Sequence, residues 1–301
     1  MKIETLAPII LFVYNRPVHT FQVINALLEN KEASNSDLYI YSDAPKTEQA
    51  VEMVEQTRAY LRTINGFKSV TVVERITNWG LAKNIIDGVT TIVNQYGCVI
   101  VLEDDLQVSP YFLKYMNDAL DLYEKEERVV SIHGYVYPVK RKLSETFFIK
   151  GADCWGWATW KRGWGLFCSD GQLLLDEIGK RKLKKEFDFN NSYPYFRMLK
   201  HQVEGKNNSW AVRWYASAFL KDKLTLYPGK SLVKQIGMDG SGTHCDANEM
   251  FTVSLTDSPI ALSKIPIQES KQGRNAFIYY FRYVMFYYKV KARLKRVFKL
   301  S

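Results

Sequence analysis

Three consecutive carboxylates, Glu103, Asp104 and Asp105, close a run of apolar residues, 98–102. Like charges gathered at the mouth of a buried strand repel strongly at low dielectric, and a divalent cation removes that cost. Hard oxygen donors suit Mg²⁺ or Mn²⁺, which needs two or fewer protein carboxylates and fills its shell with phosphate oxygens and water. The alternative is a solvated strand end before a helix, since Ser109-Pro110 has the form of an N-cap and first helical residue. His244 lies in a stretch holding Gly237, Gly240 and Gly242, as either a site-closing residue or a surface loop histidine. His133 follows an apolar run and either lines a cleft or is packed structurally; His19 and His201 read as surface positions. Cys98, Cys154, Cys168 and Cys245 show no CxxC spacing, which indicates reduced thiols rather than a zinc site or a disulfide framework.

These residues need a scaffold, and the N-terminal third supplies a regular one. Residues 8–14 are continuously apolar, as expected of a strand covered on both faces of a parallel sheet. The run is too short for a membrane span or a whole signal-peptide pattern. Residues 19–30 show a helical stripe at Phe21, Ile24, Leu27 and Leu28; 38–41 read as a strand, 48–64 as a helix, 69–74 as a strand, 81–94 as a helix and 98–102 as a strand. This alternation predicts an α/β fold with a doubly wound, mostly parallel sheet and helices on both faces. In such sheets ligands bind beyond the carboxyl ends of the strands, which singles out Asn15-Arg16, Ser42-Asp43, residues 75–80 and the three acids.

The middle of the chain differs. Residues 129–139 read as an edge strand and turn, 181–186 as a charged helical stretch and 210–220 as a helix. Trp155, Trp157, Trp160 and Trp164 crowd one short segment together with Gly156, Gly163 and Gly165. Aromatics at such spacing are mostly core; exposed indoles would instead suit stacking on a sugar ring. Trp155 and Trp157 are expected near the site, Trp160 and Trp164 in the core.

The stretch NWGLAKNIIDGV followed by CVIVLEDDLQVSPYFLKYM resembles the nucleotide-sugar site of GT-A-fold glycosyltransferases. It is most similar to bacterial family 2-like enzymes and the N-acetylglucosaminyltransferase-I group. The similarity continues through SDAPK (residues 42–46), WGWATWKRGW (155–164) and SLVKQIGMDGSGTH (231–244). It implies a GT-A-type mixed sheet, a UDP-linked nucleotide-sugar donor, and Mn²⁺ or Mg²⁺ as cofactor. By position it implies Tyr14 and Arg16 near the base, Asp43 on the uracil, and Asn78 and Lys83 near ribose and diphosphate. Asp105 would ligate the metal, Asp104 would contact ribose or a metal-bound water, His244 would complete the metal shell, and Trp155 and Trp157 would stand beside the donor sugar. A nucleotidyltransferase would want a Gly-rich basic loop directly after the first strand, and Tyr14-Asn15-Arg16-Pro17 is not one.

One departure touches the general base. Relatives carry an acid after the tryptophan matching Trp210, whereas this chain has Ala211. Asp239, in the Gly-rich loop, and Asp153, before the tryptophan segment, are the candidate catalytic substitutes; a retaining mechanism without a base is also compatible. A domain without activity that binds glycan or scaffolds a partner is the competing reading.

The formal charge of +9 is segregated. From residue 270 to 301 there are nine basic residues and no acid, and removing those nine from 41 leaves 32 Lys+Arg against 32 Asp+Glu. A neutral body argues against nucleic-acid binding. The tail, rich in aromatics but interrupted by Arg282, is too broken for a membrane span and suits an anionic membrane surface. The alternative is a helix packed on the domain with a solvated basic end. The expected organisation is a nucleotide-sugar half (1–110), an acceptor half of the same domain (111–269), and a membrane-associating tail (270–301). The enzyme would sit peripherally on the cytoplasmic face of a bacterial membrane and extend a surface or lipid-linked glycan.

Overall fold

A computed structural model of the chain describes residues 6–238 and 249–298. The N-terminal part runs β1 (Ile9–Val13), α1 (Pro17–Leu28), β2 (Asp37–Ser42), α2 (Val51–Leu61), β3 (Ser69–Glu74), α3 (Leu81–Tyr96) and β4 (Cys98–Glu103). It continues through β5 (Leu106–Val108), α4 (Phe112–Leu122), β6 (Val129–His133), β7 (Thr146–Lys150), β8 (Trp157–Trp160) and α5 (Lys161–Trp164). The remainder comprises α6 (Gly171–Lys180), α7 (Lys184–Phe187), α8 (Tyr195–Val203), α9 (Trp210–Leu220), β9 (Leu224–Pro228), β10 (Val233–Gln235) and α10 (Lys271–Phe298).

Eight strands form one mixed sheet in the order β3-β2-β1-β4-β8-β6-β9-β7. The pairings β1–β2, β2–β3, β1–β4 and β6–β9 are parallel, and β7 and β8 run against their neighbours. The fold is thus a GT-A-type, Rossmann-like α/β arrangement. Period-two alternation explains why the central strands are apolar throughout. Ile9 and Leu11 of β1 and Ile100 and Leu102 of β4 enter one cluster with α1 and α4. Ile10 and Phe12, with Val99 and Val101, enter a second cluster with α3 and Trp164 of α5.

Two sequence expectations change. Residues 129–139 do not provide an edge strand: β6 lies inside the sheet between β8 and β9, and β7 is the edge. Nor is 270–301 wholly a tail. Gly273, Ala276, Phe277, Tyr280, Phe281 and Val284 of α10 are buried at intervals of three and four, the stripe of a helix seated on a core. Phe277 meets Phe147 and Tyr227 edge-on, and Ser270 N–H donates to the Phe148 carbonyl at 2.8 Å. Beyond Val284 the character changes: Phe286 is 65% exposed, and Tyr287, Tyr288 and Val290 are also exposed. Exposed aromatics and Arg282 already occupy the outer face at Tyr279 and Tyr283, and after Val284 the exposed character takes over. Among the described residues no helix is long and apolar enough to cross a membrane.

Candidate active site

The three acids lie where β4 ends beside β1. Tyr14 N–H donates to Asp104 Oδ2 at 3.1 Å, and Arg16 Nη1 sits 3.0 Å from Asp105 Oδ2. Both partners come from the turn between β1 and α1, where Pro17 starts the helix and leaves Arg16 as its extended N-cap. Asp104 is buried, and its pKa is pushed up to about 7, first by burial and then by the Asp105 charge, against the pull of Arg16 and the Tyr14 N–H. Burial and both neighbouring acids also push the Glu103 carboxyl well up.

Directly after the acids, β5 pairs with β10 in a separate antiparallel ribbon, and Ile236 N–H donates to the Asp105 carbonyl at 2.8 Å. The ribbon carries Gly237 over the ion pair: a Cβ there would stand 2.6 Å from both Arg16 Nη1 and Asp105 Oδ2. The lack of a side chain is what permits this approach. Asp239 and His244 follow in the same loop but lie outside the described residues.

Asp43, at the end of β2, is buried and saturated. Its Oδ1 accepts the N–H groups of Ala44 and Trp79, each at 2.9 Å. Its Oδ2 accepts Gly80 N–H at 2.8 Å and Asn78 Nδ2 at 3.1 Å. Four donors match the four lone-pair sites of a carboxylate, so Asp43 shapes the 78–80 loop rather than offering a free oxygen to uracil in this structure. Asn78 is held in turn by the Ala44 carbonyl at 2.7 Å. Lys83 is exposed and rests 4.0 Å from the centre of the Trp79 ring, which Arg75 also approaches at 3.7 Å.

Asp153 lies between β7 and β8, just before the tryptophan segment. Its Oδ2 accepts the hydroxyls of Tyr227 at 3.0 Å and Tyr137 at 3.2 Å, and its Oδ1 accepts Cys154 N–H at 2.8 Å. The carboxyl keeps some exposure, 21%. His133 is fully buried beside it. Its Nδ1 bonds the Tyr135 carbonyl at 2.9 Å, its Nε2 accepts Trp155 N–H at 3.1 Å, and Asp153 Oδ1 is 3.9 Å away. Those roles define a neutral ring, and burial holds its pKa below the ordinary value despite Asp153. The charges of Asp153, Glu103 and Asp105 all raise the pKa of the Cys154 thiol, after burial itself. One thiol is therefore within reach of the carboxylates on both sides.

The tryptophans divide differently from expectation. Trp155 is half-buried, edge-on to Tyr135 at 4.8 Å. Trp157 is fully buried, packed with Trp164, Trp210 and Trp214 under the sheet, and cannot touch a donor sugar. Residue alternation along β8 turns Trp157 toward that cluster, paired in register with Val101 and His133. Trp160 and Trp164 are also buried.

The model of the family described as "Glycosyl transferase family 2" matches residues 9–162. This chain belongs to that family. Among solved structures, the chain is similar to a mannosyltransferase from Pyrobaculum calidifontis in complex with GDP-Man and Mn²⁺, at 14% identity and TM-score 0.33, covering 44% of this chain and 36% of that one. It is similar to S. aureus TarS at 18% identity and TM-score 0.30, covering 48% of this chain and 24% of that one. A third similarity is to a UDP-glucose pyrophosphorylase complexed with UDP-glucose, at 13% identity and TM-score 0.37, covering 74% and 90%. The chain thus spans well under half the length of the mannosyltransferase and of TarS. No curated protein matches in sequence.

The described residues contain no group of three His, Cys, Asp or Glu side chains placed for a metal. What they offer is a pair of hard carboxylates, Asp104 and Asp105, with a cation, Arg16, already accommodated against one of them. That donor set fits a Mg²⁺ or Mn²⁺ ion taking its other ligands from phosphate oxygens and water. Several contributors escaped the sequence reading: Gly237, Cys154, and the hydroxyls of Tyr137 and Tyr227. The spacing of Tyr135 and Tyr137 just after an apolar run was their one sequence signal, and Tyr227 had none.

Proposed function

We propose that the chain is a metal-dependent glycosyltransferase that moves a sugar from a UDP-linked donor to a hydroxyl of a bacterial surface glycan or lipid-linked oligosaccharide. The observation that carries this reading is the convergence of Tyr14, Arg16, Asp104 and Asp105 at the carboxyl ends of β1 and β4. Tyr14 and Arg16 border the base. Asp43 keeps the 78–80 loop in the shape that receives the ribose, with Asn78 locked and Lys83 free to reach phosphate. Asp104 and Asp105 would hold a divalent cation, which when bound would supply charge neutralisation for a nucleoside diphosphate leaving group. Asp153 takes the proton of the acceptor hydroxyl, its carboxyl oriented by two tyrosine hydroxyls; Trp155 walls the acceptor side. Asp239 and His244, one as an alternative base and one as a further metal ligand, extend the same proposal into the Gly-rich loop. The enzyme works peripherally on the cytoplasmic membrane face, held by the end of α10.

The test is thermal denaturation with a panel of nucleotide sugars, with and without Mn²⁺. Stabilisation by a UDP sugar only in the presence of metal, lost in Asp105→Ala, is the expected result. A shift confined to GDP or dTDP sugars would sink the uridine assignment. Asp153→Asn should keep donor binding while transfer falls by about 10²–10⁴-fold. Ala211, where relatives hold an acid, favours a second reading as a glycan-binding domain without activity. Turnover with any donor and acceptor excludes it.

A further inference from the structure

A cavity of about 540 Å³ opens between α10 and the segment running from α7 into α8. Its rim carries four cations, Lys184, Arg197, Lys200 and Lys289, against a single acid, Asp188. That acid is buried, its Oδ1 accepts the Phe196 N–H at 2.7 Å in the first turn of α8, and its charge bears on Lys184 and Arg197. Arg197 and Lys289 form no ion pair among the described residues, and Lys200 has only a loose surface contact with Glu204 at 3.7 Å. Positive charge therefore exceeds negative charge at this opening.

The lower wall is apolar, formed by Tyr193, Phe196 and Met285. One edge is a turn in which Phe189, Asn190 and Asn191 have φ of 46°, 57° and 59° in succession. Left-handed backbone is costly for non-glycine residues and persists only where surrounding packing imposes it. Here α10 imposes it: Phe281 meets the Phe189 ring edge-on at 5.3 Å, and Arg274 lies 4.7 Å from the ring centre. The cleft is built in, not a gap between loose side chains. Met285 and Lys289 line it from the same stretch of α10 that exposes Phe286, Tyr287 and Val290.

We infer that this cleft binds the phosphate headgroup of an anionic glycerophospholipid, with the cations on the phosphate and the first acyl carbons against Tyr193, Phe196 and Met285. An excess of cations over acids selects a phosphate, the volume is of small-ligand size, and the exposed aromatics of the adjoining helix suit the headgroup layer. The inference rests on the membrane reading of the α10 end, and it adds a stoichiometric lipid site to what would otherwise be diffuse attraction.

Two measurements on the full chain separate the two ideas. One is flotation with phosphatidylcholine vesicles with and without phosphatidylglycerol. The other is thermal denaturation with dihexanoyl-phosphatidylglycerol below its micelle concentration, with inorganic phosphate as the comparison. Wild type should bind the anionic vesicles and be stabilised by the short-chain lipid but not by equal phosphate. R197A/K289A should lose the stabilisation and about ten-fold or more of vesicle affinity. Equal lipid stabilisation in wild type and variant, or none in wild type, overturns the cleft site whatever the vesicles do. An equal shift with inorganic phosphate overturns the lipid as occupant. Short-chain lipid binding that depends on Arg197 and Lys289, with no vesicle binding, supports the cleft and overturns the membrane reading instead.

Discussion

His133 is a neutral imidazole locked between the Tyr135 carbonyl and the Trp155 amide, and its environment has a thermodynamic consequence. Burial lowers its folded-state pKa below the ordinary 6.5. Above pH 6.5 it is neutral in both states; below that, the unfolded chain takes a proton that the folded chain refuses. The stability it contributes is therefore present above 6.5 and lost as pH falls through the lower folded value. Melting temperatures measured from pH 8 to pH 5 should fall more steeply for wild type than for His133→Gln, and parallel curves would reject this account. Gly237 makes a different demand. In Gly237→Ala the new methyl must displace Arg16 or Asp105, both 2.6 Å away, while the backbone tolerates the change. Metal-dependent stabilisation by a donor should weaken several-fold, with the melting temperature of the free protein moved by only a few degrees. Unchanged donor affinity would mean that the loop shifts freely.

At the scale of elements, α10 is the place where composition misleads. Its basic and aromatic residues suggest a detached tail, yet the first half is a helix seated on the core, and exposure predominates only from residue 286 to 290. Removing 270–301 should leave an aggregating or unfolded protein, because it strips the cover from Phe147, Tyr227 and Phe189. Removing 291–301 should preserve the melting temperature within a few degrees and weaken binding to anionic vesicles. Phe277→Ala, which empties a fully buried site, should cost about 3–5 kcal/mol in denaturant unfolding; a cost under about 1 kcal/mol would show α10 to be loosely docked. Legibility follows the same physics. Strands β1 and β4 are readable because each is a continuous apolar run buried on both faces, and the edge strand β3, though largely exposed, spans the residues the pattern indicates. Strands β5, β7, β9 and β10 are short, and their identity as strands comes from partners far along the chain. The same holds within the site. Asp43, Asp104 and Asp105 are legible at strand ends, whereas the cradle of Asp153 joins residues from three separated segments. Trp157 and Trp155 are two positions apart in a glycine-rich stretch, so spacing alone could not sort core from cleft.

At the scale of the molecule, the two expected halves share one sheet, joined by the antiparallel pairing of β4 with β8. The larger apolar cluster also runs from Ile9 of β1 to Phe281 of α10 without a break. Thermal unfolding should accordingly be a single transition by fluorescence and by far-UV circular dichroism; two separated steps would identify 1–110 and 111–269 as independent units. The ribbon of β5 and β10 adds a temporal constraint. It ties Asp105, in the first half of the chain, to Gln235 and Ile236, and such long-range closures form late because the loop entropy must be met first. The N-terminal strands can assemble a nucleotide-shaped surface while the rest is still being synthesised. The acid cluster acquires its roof only once residue 237 has emerged, so a nascent chain that ends before it carries the acids uncovered.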